Sequence, residues 1–215
     1  MALFSFARRN RGINTRTDLL NHLIASMGYR RYLEIGVRDP RDNFDQVRAD
    51  HKDSVDPDPR RPVTFRMTSD EFFANRAAVS DRPSYDLAFI DGLHLADQVE
   101  RDVVNSLANL APAGTIVLHD CNPTTESAQS EAYIYGEHWN GTVWKAWMKL
   151  RAARRDLSMF VVDIDEGCGV IRRGSQQVYP LPSLDYSTLG YDFLKRHRRE
   201  ALNLVSVDES LKLLG

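Results

Sequence analysis

Two pairs of ionisable side chains follow two apolar runs of the chain. Asp91 and His94 come at the end of one run. His119 and Asp120 come at the end of the next. Imidazole titrates near neutral pH, so either histidine is a candidate general base for a hydroxyl group. Asp120 can orient a histidine or take the proton itself, and the pattern therefore predicts proton-transfer chemistry.

The same residues offer a second chemistry, which is metal binding. Asp91 and Asp120 could hold one hard cation such as Mg²⁺, with Asn122 adding an oxygen. The nearby histidines would instead favour a transition metal. A simpler interpretation is that Asp91 contacts a cofactor and that His119 merely ends a strand. A divalent metal therefore stays an alternative that the sequence does not favour.

A third group of polar residues fits a nucleoside ligand. Glu34 and Gly36 end an earlier apolar run, and Asp56 lies about twenty residues beyond Gly36. An acid at that spacing can accept both hydroxyls of a ribose. Residues 36–40 (GVRDP) lack the second and third glycines that let a backbone approach a pyrophosphate. The pattern favours a nucleoside without phosphates, with a tight turn carrying solvated acids as the alternative.

The composition is that of one globular domain. The 215 residues are 42% hydrophobic and 27% charged, with a formal net charge of -2. Neither a nucleic-acid partner nor a membrane partner is expected from this charge, and no apolar run approaches the roughly 20 residues of a membrane span. Residues 1–9 carry their charges after the apolar stretch, opposite to a secretory signal. Cys121 and Cys168 form neither a metal pair nor a disulfide framework, so we expect a reduced, cytoplasmic protein.

Strand and helix patterns alternate, which predicts a mostly parallel sheet covered on both faces. The predicted strands are 32–37, 52–55, 63–67, 85–91, 115–118, 158–162 and 168–171. The predicted helices are 15–27, 42–50, 95–110, 142–155 and 191–203, with a further helix start at 68–71. The last two strands are predicted to form a hairpin. Acidic side chains follow each of the first five strands, so we expect one shared pocket at the carboxyl edge of the sheet.

Several segments in this order resemble the motifs of class I S-adenosylmethionine-dependent methyltransferases. Residues 32–37 (YLEIGV) resemble the first cofactor motif and 55–59 (VDPDP) the second, while 68–70 (TSD) stand where an adenine contact is usual. Four later segments are similar to small bacterial members of the family: 89–94 (FIDGLH), 110–114 (LAPAG), 117–123 (VLHDCNP) and 140–146 (NGTVWKA). The resemblance covers about residues 28–173, and the missing glycines are its main departure.

The resemblance implies the α/β fold of that family. This is a three-layer sandwich with a mostly parallel, seven-stranded Rossmann-like sheet whose last strand is antiparallel. One methyltransferase domain would then span residues 1–215, with a core of about 15–175 and a C-terminal extension of about 176–215. The extension can pack on its own domain or on a second copy of the chain.

The resemblance also implies S-adenosylmethionine as the cofactor. The candidate cofactor-binding residues are Glu34, Gly36, Asp56, Ser69, Asp70 and Asp91. The methionine end would lie at the first motif, the ribose at Asp56 and the adenine beside residues 68–70. Asp56 is preferred over Asp58 because it directly follows the strand.

The implied activity is methyl transfer to a hydroxyl of a small molecule, such as a sugar or a natural product, with an amine as the alternative acceptor. The candidate catalytic residues are His119, Asp120 and His94. Trp139, together with Tyr133 or Tyr135, could shape the acceptor site. Two rival functions stay open. One is a metal-dependent hydrolase that uses the strand-end histidines and aspartates, and the other is a non-catalytic nucleoside-binding module.

Overall fold

The computed structural model describes residues 12–133, 136, 138–181, 183 and 185–214. Within them the chain forms seven strands and six α-helices. The strands are β1 (Arg31–Ile35), β2 (His51–Val55), β3 (Tyr85–Ile90), β4 (Leu110–Leu118), β5 (Leu157–Val162), β6 (Cys168–Arg173) and β7 (Leu204–Val205). The helices are α1 (Arg16–Met27), α2 (Ser69–Ala77), α3 (Ala96–Asn109), α4 (Val143–Ala153), α5 (Tyr191–Leu202) and α6 (Val207–Leu214).

The strands form one sheet in the order β2-β1-β3-β4-β6-β5-β7. Neighbouring strands run parallel except β6, which is antiparallel to both β4 and β5. The β5–β6 pair is the predicted hairpin, and its turn contains three consecutive residues with positive φ, which are Asp165, Glu166 and Gly167. The mostly parallel, seven-stranded Rossmann-like fold expected from the sequence is thereby confirmed.

Two hydrophobic clusters lie on the two faces of the sheet. Alternate residues of β3 divide between them, since Leu87 and Phe89 belong to one cluster and Ala88 and Ile90 to the other. The cluster with Leu87 and Phe89 includes buried side chains of α1 and α6. The cluster with Ala88 and Ile90 includes buried side chains of α2, α3, α4 and α5. Burial of a strand on both faces is typical of a parallel sheet between helices, so the domain has three layers.

The prediction of a strand at 63–67 is wrong. Only Phe65 pairs with β2, through a single parallel bridge to Val55. The preceding segment 57–62 contains three prolines, which lack the N–H groups that a longer ladder requires. The seventh strand is instead β7 of the C-terminal extension, which runs parallel to β5 at the far edge of the sheet.

The prediction of a helix at 42–50 is also wrong. The structure has two short 3₁₀ turns there, Pro40–Asp42 and Phe44–Gln46. Asn43 lies between the two turns, and its Nδ2 donates a hydrogen bond of 2.9 Å to the strand-end acid Glu34. Its amide oxygen accepts a second hydrogen bond from α1. The hydrogen bonds of this buried amide to distant elements therefore override the local helical pattern.

The C-terminal extension packs on its own domain. Helix α5 buries Leu194, Ala201 and Leu202 in the cluster that contains α4. Helix α6 covers the opposite face with Val207 and Leu214. Among the described residues, no helix combines the length and the apolar character needed to cross a membrane.

Gly36, which follows β1, packs closely against the backbone that follows β3. It has a φ of +83°, and a Cβ atom on it would lie 2.2 Å from the carbonyl oxygen of Asp91 and 2.2 Å from Cα of Gly92. No side chain fits at that distance. Glycine is therefore required here by the close approach of two strand ends as well as by the backbone conformation.

The substitution Gly36→Ala should destabilise the protein by about 3 kcal/mol or more, because a steric clash adds to an unfavourable φ. Gly28→Ala is the matched control, since Gly28 has a φ of +66° but its Cβ would meet nothing within 4 Å. The control should lose only about 1–2 kcal/mol. Urea denaturation measures both losses, and equal values would contradict this account of Gly36.

Candidate functional site

The carboxyl ends of β1, β2, β3 and β4 open into a cavity of about 920 Å³. Backbone hydrogen bonds continue past the strands, from Asp91 to Ile35 at 2.8 Å and from His119 to Ile90 at 3.0 Å. The predicted cofactor-binding and catalytic residues all line this cavity: Glu34, Gly36, Asp56, Ser69, Asp70, Asp91, His94, His119 and Asp120. The structure brings the expected side chains together at the expected edge of the sheet, while their individual roles stay predictions.

Glu34 is a buried acid at the end of β1, with only 2% of its surface exposed. Its Oε2 accepts hydrogen bonds from the Tyr32 hydroxyl at 2.5 Å and from Asn43 Nδ2 at 2.9 Å. Burial raises the pKa of Glu34 to about 8, although both hydrogen bonds act in the opposite direction. The free protein therefore keeps Glu34 mostly neutral at pH 7, and a cation bound beside it would favour its ionisation.

Asp56 organises the turns that follow β1 and β2. Its Oδ2 accepts a hydrogen bond of 2.8 Å from the backbone N–H of Arg38, and its Oδ1 accepts one of 2.8 Å from that of Asp58. Asp56 is buried and lines the cavity, whereas the side chain of Asp58 is 98% exposed. A carboxylate accepts about four hydrogen bonds, so Asp56 keeps capacity for ligand hydroxyls. This geometry supports Asp56 rather than Asp58 as the ribose ligand.

Ser69 and Asp70 begin α2, which Thr68 and Glu71 cap at its N-terminus. The Nε2 atom of Gln98 lies 3.1 Å from Ser69 Oγ and 3.2 Å from Asp70 Oδ1. The same nitrogen lies 3.0 Å from an oxygen of the buried Asp102, whose pKa burial raises to about 6. Gln98 and Asp102 line the cavity on α3, where the sequence gives no signal that separates them from ordinary polar helix residues.

Four ionisable side chains form what we call the strand-end cluster: Asp91, His94, His119 and Asp120. The Nδ1 atom of His119 lies 3.2 Å from Asp91 Oδ1 and 3.1 Å from Asp120 Oδ2. His94 contacts the same two carboxylates, with Nε2 at 3.4 Å from Asp91 Oδ1 and Nδ1 at 3.3 Å from Asp120 Oδ2. Each imidazole therefore bridges both acids.

Charge pairing controls the protonation of the strand-end cluster. Burial favours the neutral imidazole, but the neighbouring carboxylates outweigh it and raise the pKa of both His94 and His119. Burial likewise opposes the ionisation of Asp91, yet the two histidines hold the pKa of Asp91 well below its usual range. Imidazolium–carboxylate pairs are therefore the favoured state of the cluster.

The cluster does not present the free lone pair that a histidine general base needs. Both ring nitrogens of His94 face carboxylate oxygens. Both ring nitrogens of His119 are also occupied, because its Nε2 lies 3.3 Å from Nη1 of Arg16 and 3.6 Å from Oδ1 of Asp165. The geometry therefore does not support a base role for either histidine alone. Both oxygens of Asp120 are likewise contacted, one by the two imidazoles and the other by Asn140, so the group that accepts a proton stays a prediction.

Asp120 adopts a left-handed backbone conformation with a φ of +60°, at a cost of about 1–2 kcal/mol. Its Oδ1 accepts a hydrogen bond of 2.6 Å from Nδ2 of Asn140. Asn140 is fully buried, and its own side-chain oxygen has no donor among the described residues. Asn140 is not among the described lining residues of the cavity, so it holds Asp120 in place from the protein interior.

The strand-end cluster also offers donor atoms for a divalent metal. Donor atoms of Asp91, His94 and Asp120 lie within 4.8 Å of one another, and they combine two carboxylates with one imidazole. Asn122 does not take the place predicted for it, because its Oδ1 accepts a hydrogen bond from Arg198 and its amide nitrogen donates to another side chain. Two carboxylates remain without that oxygen, and Mg²⁺ usually takes several of its ligands from water, so a divalent metal stays an alternative at this cluster.

Charged residues from distant parts of the chain complete the surroundings of the strand-end cluster. Arg16 begins α1, and its backbone N–H donates a hydrogen bond of 2.8 Å to Asp165 in the β5–β6 turn. Glu166 of the same turn has its Oε2 at 3.1 Å from Nε2 of His138. Arg16 and Asp165 are 149 residues apart, and no local sequence pattern connects them.

Aromatic side chains line the cavity beside His94. Trp139 stacks on the His94 ring, with ring centroids 4.9 Å apart and an interplanar angle of 19°. Tyr133 is exposed and packs edge-on against Trp139 at 5.8 Å. Both lie where an acceptor site is expected, whereas Tyr135 lies outside the described residues. Such a surface can hold the ring of a small acceptor.

The substitution Glu34→Gln should remove a pH dependence from the stability of the fold. The unfolded carboxyl ionises near pH 4.5 and the folded one near pH 8, so the wild-type protein loses stability as pH rises between these values. Relative to the wild type, the variant should therefore gain up to about 1.4 kcal/mol per pH unit over that window. Urea denaturation at pH 5, 6, 7 and 8 measures the gain, with Glu126→Gln on an exposed loop as the control. Parallel stability curves for Glu34→Gln and the wild type would contradict the burial of a neutral carboxyl.

Comparison with known proteins agrees with this fold. The solved structure of a candidate O-methyltransferase from Klebsiella pneumoniae superposes with a TM-score of 0.51 at 14% identity, over 73% of this chain and 79% of that one. The O-methyltransferase from Bacillus cereus, in complex with S-adenosylhomocysteine (SAH), superposes with a TM-score of 0.50 at 13% identity, over 71% and 77%. No curated protein sequence matches the chain. The family model of a methyltransferase domain matches residues 5–121, which is more than half of the 215 residues, and the chain therefore belongs to the methyltransferase domain family.

Proposed function

We propose that the chain is an S-adenosylmethionine-dependent O-methyltransferase whose acceptor is a small molecule with a hydroxyl group. The observation that carries this proposal is that one cavity contains two groups of predicted residues. One group, which we call the nucleoside-binding half, is Glu34, Gly36, Asp56, Ser69 and Asp70, and the other is the strand-end cluster. Family membership supports methyl transfer as the reaction. The O-methyltransferases that share the fold support a hydroxyl as the acceptor.

The nucleoside-binding half would take the cofactor in one orientation. In the proposal, the ribose hydroxyls donate to Asp56 and the adenine lies beside Ser69 and Asp70. The methionine end then lies beside Glu34 and Gly36, next to Asp91. The acidic lining favours a cationic ligand, and the SAH bound by the Bacillus cereus protein supports the same ligand class here.

The strand-end cluster would prepare the acceptor. S-adenosylmethionine, when bound, supplies a methyl group on a positively charged sulfur, whereas a hydroxyl is a poor nucleophile until its proton is removed. In the proposal, Asp120 accepts this proton, and the imidazolium rings of His94 and His119 keep Asp120 and Asp91 from repelling each other. These three catalytic residues (His119, Asp120 and His94) act as one unit, and the aromatic side chains align the acceptor.

The rival functions explain less of the cavity. A metal-dependent hydrolase on this sheet would need further histidines from helices, and the helical His22 and His197 are not among the described lining residues. A nucleoside-binding module without activity would need only the half around Glu34 and Asp56. It gives no reason for two charged imidazoles buried between two carboxylates, an arrangement that costs stability.

The acceptor is proposed to be a neutral ring compound, such as a sugar or a natural product. Trp139 and Tyr133 offer faces and edges on which a ring can stack. The carboxylates of the lining disfavour an acceptor that carries phosphate groups.

The substitution Asp56→Ala should weaken SAH binding by about 10- to 100-fold, which corresponds to the loss of charged hydrogen bonds to two ribose hydroxyls. Asp58→Ala removes a neighbouring carboxylate that is 98% exposed, and it should leave the affinity unchanged. Isothermal titration calorimetry measures both values, and Asp56→Asn tests whether the shape of the turn alone suffices. Undiminished SAH affinity in Asp56→Ala would remove the ribose assignment.

A further inference from the structure

Acidic residues outnumber arginines in the lining of the cavity. The acids are Glu34, Asp42, Asp56, Asp70, Asp91, Asp102 and Asp120, and the arginines are Arg16 and Arg38. The imidazoles of His94 and His119 already pair with Asp91 and Asp120, so they leave no cation free for a ligand carboxylate, which the remaining acids would repel. A ligand with a carboxylate needs a fixed cation at the position of its anionic end, and only the two lining arginines stay charged at every working pH.

Arg16 is the more sheltered of these two arginines. Its side chain is 24% exposed, whereas the side chain of Arg38 is 69% exposed and pairs with Asp42 at 3.3 Å. Coulombic attraction weakens steeply with solvent screening, so an exposed guanidinium binds an anion poorly. Arg16 is therefore the arginine that can hold an anion firmly inside the cavity.

The guanidinium of Arg16 is not fully used by the protein. Its Nη1 lies 3.5 Å from Asp165 Oδ1, which is longer than the roughly 2.7–2.9 Å of a paired carboxylate. Its Nε is buried and has no hydrogen-bond partner among the described residues. An unsatisfied buried N–H destabilises the protein, and a bound carboxylate would give this guanidinium an acceptor.

The position of Arg16 matches the methionine end of the proposed cofactor. Asp91, at the end of β3, is the carboxylate that contributes most to the electrostatic field at Arg16, and Glu34 at the end of β1 also interacts with it. An α-amino acid group carries an ammonium and a carboxylate on one carbon atom. The two acids suit the ammonium, and Arg16 beside them suits the carboxylate.

We propose that Arg16 binds the α-carboxylate of the cofactor's methionine moiety, and that this contact lets an acidic cavity accept a zwitterionic ligand. The assignment rests on the proposed function, because it presupposes that S-adenosylmethionine occupies the cavity. Arg16 is the first residue of α1, so the helix before the sheet supplies a ligand contact that none of the strand-end segments provides.

Two thioethers that differ only in the amino-acid portion test this assignment. SAH carries the α-carboxylate, and 5′-methylthioadenosine has the same adenine, ribose and sulfur without it. Calorimetry on Arg16→Gln should show SAH affinity lower by at least about tenfold and 5′-methylthioadenosine affinity within about twofold of the wild type. Arg16→Lys keeps the charge without the planar guanidinium and should fall between the two.

Arg30→Gln is the matched control, since Arg30 forms a surface pair with Asp50 away from the lining residues. It should bind both thioethers as the wild type does. The binding of 5′-methylthioadenosine by Arg16→Gln also reports that the variant is folded.

Three outcomes would overturn the assignment. Equal losses for both thioethers would mean that Arg16 maintains the shape of the cavity, and no loss for either would mean that it binds no ligand. A loss confined to SAH in Arg38→Gln, with Arg16→Gln unaffected, would transfer the carboxylate to the other arginine. Failure of the proposed function is distinct from these, because the wild-type protein would then bind neither thioether.

Discussion

The register of three parallel strands determines where the chemistry of this protein lies. Ile35 of β1 pairs with Ile90 of β3, and Ile90 pairs with Leu118 of β4. The three strands therefore end at one level, and the residue that follows each of them emerges beside its neighbours. A slip of one residue in either pair would turn the side chains to the opposite face. The close approach of Gly36 to the end of β3 keeps this register, since any side chain there would separate the strands.

The concentration of charge at this edge is costly, and the structure offsets the cost by pairing. Two carboxylates within reach of one another repel unless cations lie between them. In the strand-end cluster the two imidazoles serve as those cations, with Arg16 beside them. The left-handed backbone of Asp120 adds strain at the same place. Unfavourable features of this kind collect at functional sites, which agrees with a catalytic role for the cluster.

The sequence predicted the architecture and the cavity from short-range signals. Apolar runs of strand length located six of the seven strands, and the acids after them converge because parallel strands share a carboxyl edge. Contacts between distant segments leave no local pattern in the sequence and could not be predicted from it. Arg16 meets Asp165 only after the whole sheet has formed, and Asn122 turns away from the cavity because Arg198 of α5 binds it. The short β7 and the single bridge at Phe65 likewise depend on neighbours that sequence periodicity does not reveal.

A crystal structure of the protein with SAH tests the central claim most directly. The account predicts SAH in the cavity at the carboxyl edge of β1, β2 and β3, with both ribose hydroxyls within hydrogen-bond distance of Asp56. The sulfur atom should face Asp91 and the aromatic surface around Trp139. SAH bound at another surface, or an empty cavity at saturating SAH, would contradict the account.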